Sequence, residues 1–151
     1  MKVAVGFDHR GVELRKAVLA AVKAAGHNAV DLGVETAEKR VDYPDIAAAV
    51  GMAIRSGRAE RGIVVCGSGV GASIAASKMP GIRAAICHDT FSAHQGVEHD
   101  DMNVLCLGSG IVGDSVVPEL VRAFLAARFV AEGRYLTRLE KVERMEKMVD
   151  G

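Results

Sequence analysis

Residues 63–76, Ile-Val-Val-Cys-Gly-Ser-Gly-Val-Gly-Ala-Ser-Ile-Ala-Ala, constrain the fold of this chain more than any other stretch. β-branched residues lead into Cys66, glycines follow at 67, 69 and 71, and small residues then suit a helix. Strand, Gly-x-Gly-x-Gly and helix, in that order, build a site for an anion. Glycines let the backbone turn tightly with its N–H groups inward, and the helix N-terminus adds partial positive charge. Cys66 ends the strand beside those N–H groups, where a thiol is expected to lose its proton more readily than it does in water.

The rest of the chain repeats the alternation. Lys2 to Phe7 reads as a strand running into Asp8-His9. Val12, Leu14, Ala17, Val18, Ala21, Val22 and Ala25 recur at helical spacing, and Gly26 stops them. Asn28 to Leu32 is a second strand. A polar loop then reaches Tyr43 and Pro44, which opens a helix running to Gly57. After the strand Arg61 to Cys66 come a helix at Ala72 to Met79, a strand at Ile82 to Cys87 and a helix at Thr90 to Glu98. A fifth strand, Asn103 to Leu107, is followed by a long helix from Ser115 to Ala131. A charged helix, Arg138 to Val149, closes the chain with Leu139, Val142, Met145 and Met148 or Val149 on one stripe. The pattern predicts a single α/β domain over 1–151: a five-stranded, doubly wound parallel sheet of Rossmann-like type with right-handed crossovers and an extra C-terminal helix. The common strand order 2-1-3-4-5 is expected, with its reversal between strands 1 and 3. Asp8-His9 and Cys66 to Gly71 then meet at one crevice.

Composition narrows the partners. The chain of 151 residues is half apolar, one quarter charged and formally neutral, so neither a nucleic acid nor an anionic membrane is indicated. No apolar run reaches membrane-spanning length and the start reads as a strand. Cys66, Cys87 and Cys106 form neither a disulfide framework nor a metal spacing, which suits a reducing cytoplasm. His88, His94 and His99 match no metal-ligand pattern. The glycine loop fits a dinucleotide fingerprint, with Asp89 where a ribose-binding acid belongs, but that motif has no use for a cysteine before its first glycine. His99 lies among Glu98, Asp100 and Asp101, an acid–base group ringed by carboxylates. It precedes strand 5, at the end of the sheet opposite Cys66. Arg134 and Arg138 also start from that end. They are either solvated surface groups or residues that a second subunit presents to the crevice.

Gly-Phe-Asp8-His9, Val41-Asp-Tyr43-Pro44, Val-Cys66-Gly-Ser68-Gly-Val-Gly71, Gly81-Ile-Arg-Ala-Ala, His99-x-Asp-x-Asn103-Val and Gly133-Arg134-x3-Arg138 follow one another along the chain. In these motifs it resembles the type B ribose-5-phosphate isomerases, a family that includes galactose-6-phosphate isomerase subunits. The resemblance implies an aldose–ketose isomerase that works through an enediolate with no metal or cofactor. It makes Cys66 the base between C1 and C2, with Ser68 shuttling the hydroxyl proton. The N–H groups of the loop through Gly67, Gly69, Val70 and Gly71 hold the oxyanion. His99, with Asp8, opens the sugar ring; His9, Arg134 and Arg138 bind phosphate; Tyr43 and Asp100 line the sugar. A homodimer or dimer of dimers with shared sites is implied, the segment 133–151 forming an arm and helix against the partner.

Four positions depart from the family pattern. Ser68 stands for threonine, Asp100 for asparagine, Gly110 for an arginine near the phosphate and Tyr135 for histidine, while Ala72 occupies the place of the glutamate base of one branch. The changes at 100 and 110 touch substrate recognition. Ribose 5-phosphate and ribulose 5-phosphate are the expected pair. A tetrose or hexose 6-phosphate, or a non-catalytic nucleotide-binding module, are the alternatives.

Overall fold

The computed structural model describes residues 1–148. Strand β1 (Lys2–Phe7) passes through a 3-10 turn (Gly11–Leu14) into α1 (Arg15–Ala24). Next come β2 (Asn28–Asp31), α2 (Tyr43–Arg55), β3 (Arg61–Cys66) and α3 (Val70–Ala76). The chain continues through β4 (Ala84–Ile86), α4 (Thr90–Asp100), β5 (Val104–Gly108), α5 (Val117–Ala126) and α6 (Gly133–Met148). Val149, one proposed end of the last apolar stripe, lies outside the described residues.

All five strands are parallel, in the order β2-β1-β3-β5-β4. The expected order 2-1-3-4-5 is therefore corrected at its last two positions. The burial of the strands gives the reason. Every residue of β5 is buried, so it needs a neighbour on both sides, whereas the three residues of β4 are all half-buried and fit an edge. The crossover from β3 passes the place of β5 to reach β4, and α4 then carries the chain back. Because right-handed crossovers in opposite directions fall on opposite faces, α4 joins α1 and α5 on one face and leaves α2 and α3 on the other.

Alternate residues of each central strand divide between these two cores. Val5, Phe7, Ile63, Val65, Leu105 and Leu107 face α1, α4 and α5. Ala4, Val64, Cys66, Val104 and Cys106 face α2 and α3. Cys66 thus belongs to the face whose helices frame the glycine loop.

Several boundaries shift, the helix after β3 to Val70–Ala76 and the fourth strand to Ala84–Ile86 among them, and two move furthest. The long helix expected to reach Ala131 ends at Ala126, and Ala127 is already extended. Arg61, at the start of β3, donates to the carbonyls of Phe124 at 2.5 Å and Ala127 at 2.7 Å, tying the end of α5 to the sheet. At the other boundary, Gly133 to Arg138 is no separate arm but the opening of α6 itself. Asn103 has a structural task at the β4 edge: its Oδ1 accepts from the Arg83 N–H and its Nδ2 donates to the Gly81 carbonyl, each at 2.8 Å.

Charged hydrogen bonds of the Arg61 kind contribute about 1.5–3 kcal/mol each. Arg61→Ala should therefore lower the unfolding free energy by about 2 kcal/mol in urea titrations. A loss under about 0.5 kcal/mol would show that α5 ends there for another reason.

Candidate active site

The site forms where the C-terminal ends of β1, β3 and β5 open onto their loops. Cys66 stands opposite Gly108 in the β3–β5 register, and past this pair the two loops stay joined. Ser109 N–H donates to the Cys66 carbonyl at 2.8 Å and Gly110 N–H to the Gly67 carbonyl at 2.9 Å. The β3 loop then turns at Gly69, whose φ of 80° favours glycine. That turn brings the Gly69 N–H to 3.2 Å from Cys66 Sγ, to which it donates. Gly67 and Gly69 are buried while Ser68 and Val70 are exposed. Ser68 Oγ accepts from the Val70 N–H at 3.3 Å. The next N–H, that of Gly71, sits in the first turn of α3, where no intrahelical acceptor exists.

The β1 loop forms the facing wall. Asp8 is 4% exposed, and its Oδ1 accepts from the N–H groups of Arg10 (3.0 Å) and Gly11 (2.7 Å), closing a tight turn. His9 Nδ1 bonds the Val41 carbonyl at 3.0 Å, which ties the loop ahead of α2 to this wall and leaves Nε2 for a ligand. Two residues on, the Tyr43 ring packs over Gly71 so closely that a Cβ there would come within 2.6 Å of it. Arg10 lays its guanidinium against Gly67 in the same way, and a cleft of about 460 Å³ is lined by His9, Arg10, Ser109 and Gly110 among others. Asp8, His9, Tyr43, Cys66, Gly67, Ser68, Gly69, Val70 and Gly71 are thus brought together at one mouth.

The other expected residues are not. His99 and Asp100 end α4, which runs back from the β4 exit to the end of the sheet where β5 begins, opposite the Cys66 end. There His99 stacks on Tyr135 with ring centroids 4.4 Å apart. Arg134 sits 4.9 Å from the centroid of the same ring and donates to its hydroxyl at 2.9 Å. Arg138 follows one turn later and, like Arg134, is exposed. Within one chain these side chains make a second cluster, away from Cys66.

The three cysteines differ in their surroundings. Burial and the Asp89 carboxylate push the Cys87 thiol up to about 11. Burial raises Cys106 further, aided by its neighbouring cysteines. Both stay protonated at neutral pH, and neither takes a hydrogen bond from a loop N–H. Among the described residues no three His, Cys, Asp or Glu side chains could converge on a metal ion.

Sequence reading missed His88 and Arg10. His88 Nε2 accepts from the Gly108 N–H at 3.0 Å, fixing the β5 end of the mouth from the sheet edge. No pattern flags such a bond, because β4 reaches β5 only through the altered strand order. Arg10 was legible only as a charge directly after Asp8-His9.

The mouth of the sheet thus sets a buried thiol, held by a glycine-loop N–H, beside the opening turn of α3. The chain belongs to the Ribose/Galactose Isomerase family, whose model matches residues 3–142, and is an isomerase of that class. Ribose-5-phosphate isomerase B of Escherichia coli (strain K12) is 39% identical over 97% of each chain. D-erythrulose-4-phosphate isomerase of Pectobacterium atrosepticum is 33% identical over 97% of this chain and 98% of its own. The structure of Clostridium thermocellum ribose-5-phosphate isomerase B superposes with a TM-score of 0.93 at 42% identity, covering 99% of both chains.

Burial lowers the His88 pKa below 6.5 against a smaller raising effect of Asp89, so the fold favours the neutral ring that accepts from Gly108. The unfolded chain takes up the proton first as pH falls. His88 therefore contributes stability that is full above its unfolded pKa and lost as pH drops through the folded one. His88→Asn, which keeps an acceptor, should flatten the fall of melting temperature between about pH 7 and pH 5. An unchanged slope would remove His88 from the pH response.

Proposed function

We propose that this isomerase interconverts ribose 5-phosphate and ribulose 5-phosphate through an enediolate, with Cys66 as base. The observation that carries the reading is the hydrogen bond from Gly69 N–H to Cys66 Sγ, which aims the sulfur into the cradle of loop donors. The thiolate takes the proton from C2 of the open-chain aldose and returns it to C1. Ser68 passes the proton from the hydroxyl on C2 to the oxygen on C1. Loop N–H groups from Gly67 to Gly71 stabilise the charge that develops on oxygen, which is where preorganised donors contribute most. Tyr43 walls the sugar, and His9 Nε2 meets the phosphate. The steps ask nothing of a metal or cofactor.

His99, Asp100, Arg134 and Arg138 enter this scheme from a second copy of the chain in a homodimer, or a dimer of dimers. Two features support that arrangement. Ring opening and phosphate binding need these residue types, yet in one chain they lie at the opposite end of the sheet from Cys66. And of the α6 stripe only Leu139 is buried, while Leu136, Val142, Met145 and Met148 are 39–78% exposed, an apolar face suited to a partner. Helix α6 then forms the reaching element of one isomerase domain. No helix among the described residues is long and apolar enough to cross a membrane, and we place the enzyme in the cytoplasm.

A tetrose phosphate is the second reading, left open by Asp100 and Gly110 and favoured by the erythrulose-phosphate relative. Purified protein given ribose 5-phosphate beside tetrose and hexose phosphates decides between them. Cys66→Ala should lower kcat by about 10²–10⁴-fold on whichever substrate is used. A folded variant that kept wild-type turnover would remove Cys66 as base. A nucleotide-binding module would instead show no turnover and keep its ligand after the same change.

The shared site has its own test. Each homodimer of Cys66→Ala or of His99→Asn should be impaired. Mixing and re-pairing the two should restore about a quarter of wild-type activity, because half the dimers are mixed and each holds one intact site. No recovery would place Cys66 and His99 in the same chain's site.

A further inference from the structure

We infer that Arg10 is a phosphate-binding residue, supplying from the same chain as Cys66 the cation that Gly110 lacks. This rests on the sugar-phosphate reading above and adds a residue to it.

Arg10 is held at its backbone and free at its head. Its N–H donates to Asp8 Oδ1 at 3.0 Å and its carbonyl accepts from Ser109 Oγ at 2.9 Å, so the stem is pinned between the β1 and β5 loops. The guanidinium lies against Gly67, filling the space that any side chain at 67 would need. That contact sets the cation on the wall of the glycine loop itself. Among the described residues Arg10 forms no ion pair, although Glu13 lines the same cleft. An exposed guanidinium, braced and unpaired, has five donors in a planar fork that matches a phosphate. His9, whose Nε2 is uncommitted, stands next to it in the cleft.

Gly110 lies on the same cleft, and its geometry explains how the two positions can exchange roles. Its φ is outside the left-handed region, and a Cβ there meets only the Gly67 carbonyl, at 3.1 Å. A long side chain at 110 would therefore fit and enter the cleft that Arg10 now supplies. A guanidinium from either position reaches the same space beside Gly67, so the charge is kept while its origin moves from the β5 loop to the β1 loop.

The test uses ribitol 5-phosphate, which carries the phosphate and cannot isomerise, with ribitol as the uncharged control. Calorimetry on wild type, Arg10→Ala, Arg10→Lys and the double variant Arg10→Ala/Gly110→Arg reads the affinity directly. Arg10→Ala should weaken ribitol 5-phosphate binding by about 10- to 100-fold, with Arg10→Lys between it and wild type. Its melting temperature should stay at the wild-type value, since the head is exposed. In turnover, KM should rise more than kcat falls. The double variant should regain most of the affinity. Affinity within about twofold of wild type in Arg10→Ala overturns the inference, and failure of the double variant to recover overturns the equivalence of positions 10 and 110. Wild type that binds ribitol 5-phosphate yet turns over no sugar phosphate defeats the isomerase reading alone. A folded wild type that binds no polyol phosphate overturns both.

Discussion

The pairing of β3 with β5 is the constraint on which the mouth of the sheet depends. Were Cys66 not opposite Gly108, the bonds from Ser109 and Gly110 back to the β3 loop could not form, and the glycine turn would lose its second wall. The fit is tight in both directions. A side chain at 108 would run into the Ser68 backbone at 2.6 Å, so the β5 loop must approach as bare backbone. With that approach made, the Ser109 hydroxyl reaches the Arg10 carbonyl and His88 reaches Gly108. Three loops and an edge strand are thereby held around one sulfur by backbone geometry more than by side-chain packing.

Much of the fold is legible in the chain because period-two and period-3.6 patterns are local. Val3, Val5 and Phe7 declare a strand, and Gly26 and Pro44 mark where helices stop and start. Strand order is not local. Placing β5 inside β4 depends on how much of each is covered from both sides. The cue in the sequence is slight: the uninterrupted apolar run Val104 to Leu107 against the two alanines of β4 beside Arg83. The end of α5 is hidden for a similar reason. Its apolar spacing continues to Ala131, and the residue that ends it, Arg61, lies on a strand sixty-odd positions earlier and bonds carbonyls rather than side chains.

The candidate site divides along the same line. Cys66, Ser68 and the glycines are legible because turn chemistry and thiol chemistry lie within one short stretch, and Asp8 and His9 follow from topology once the sheet is inferred. His99, Arg134 and Arg138 can be recognised as residue types but not joined to the rest, since a single chain holds them at the opposite end of the sheet, His99 and Arg134 against the Tyr135 ring. Asp8 also has a duty that no motif discloses, closing the turn that presents His9 and Arg10. A carboxylate oxygen that accepts from two backbone N–H groups lends this turn rigidity.

The place of β4 also has a bearing on synthesis. Among the strands its one partner is β5, which lies later in the chain. A nascent chain that has emerged only as far as α4 can pair β1, β2 and β3, but it leaves the outer edge of β3 bare and gives β4 nothing to join. The sheet is completed from its middle, when Val104 to Gly108 slides between two segments already made. Until then a long apolar edge is open to other chains. The interval in which that edge stays open therefore lasts until β5 leaves the ribosome.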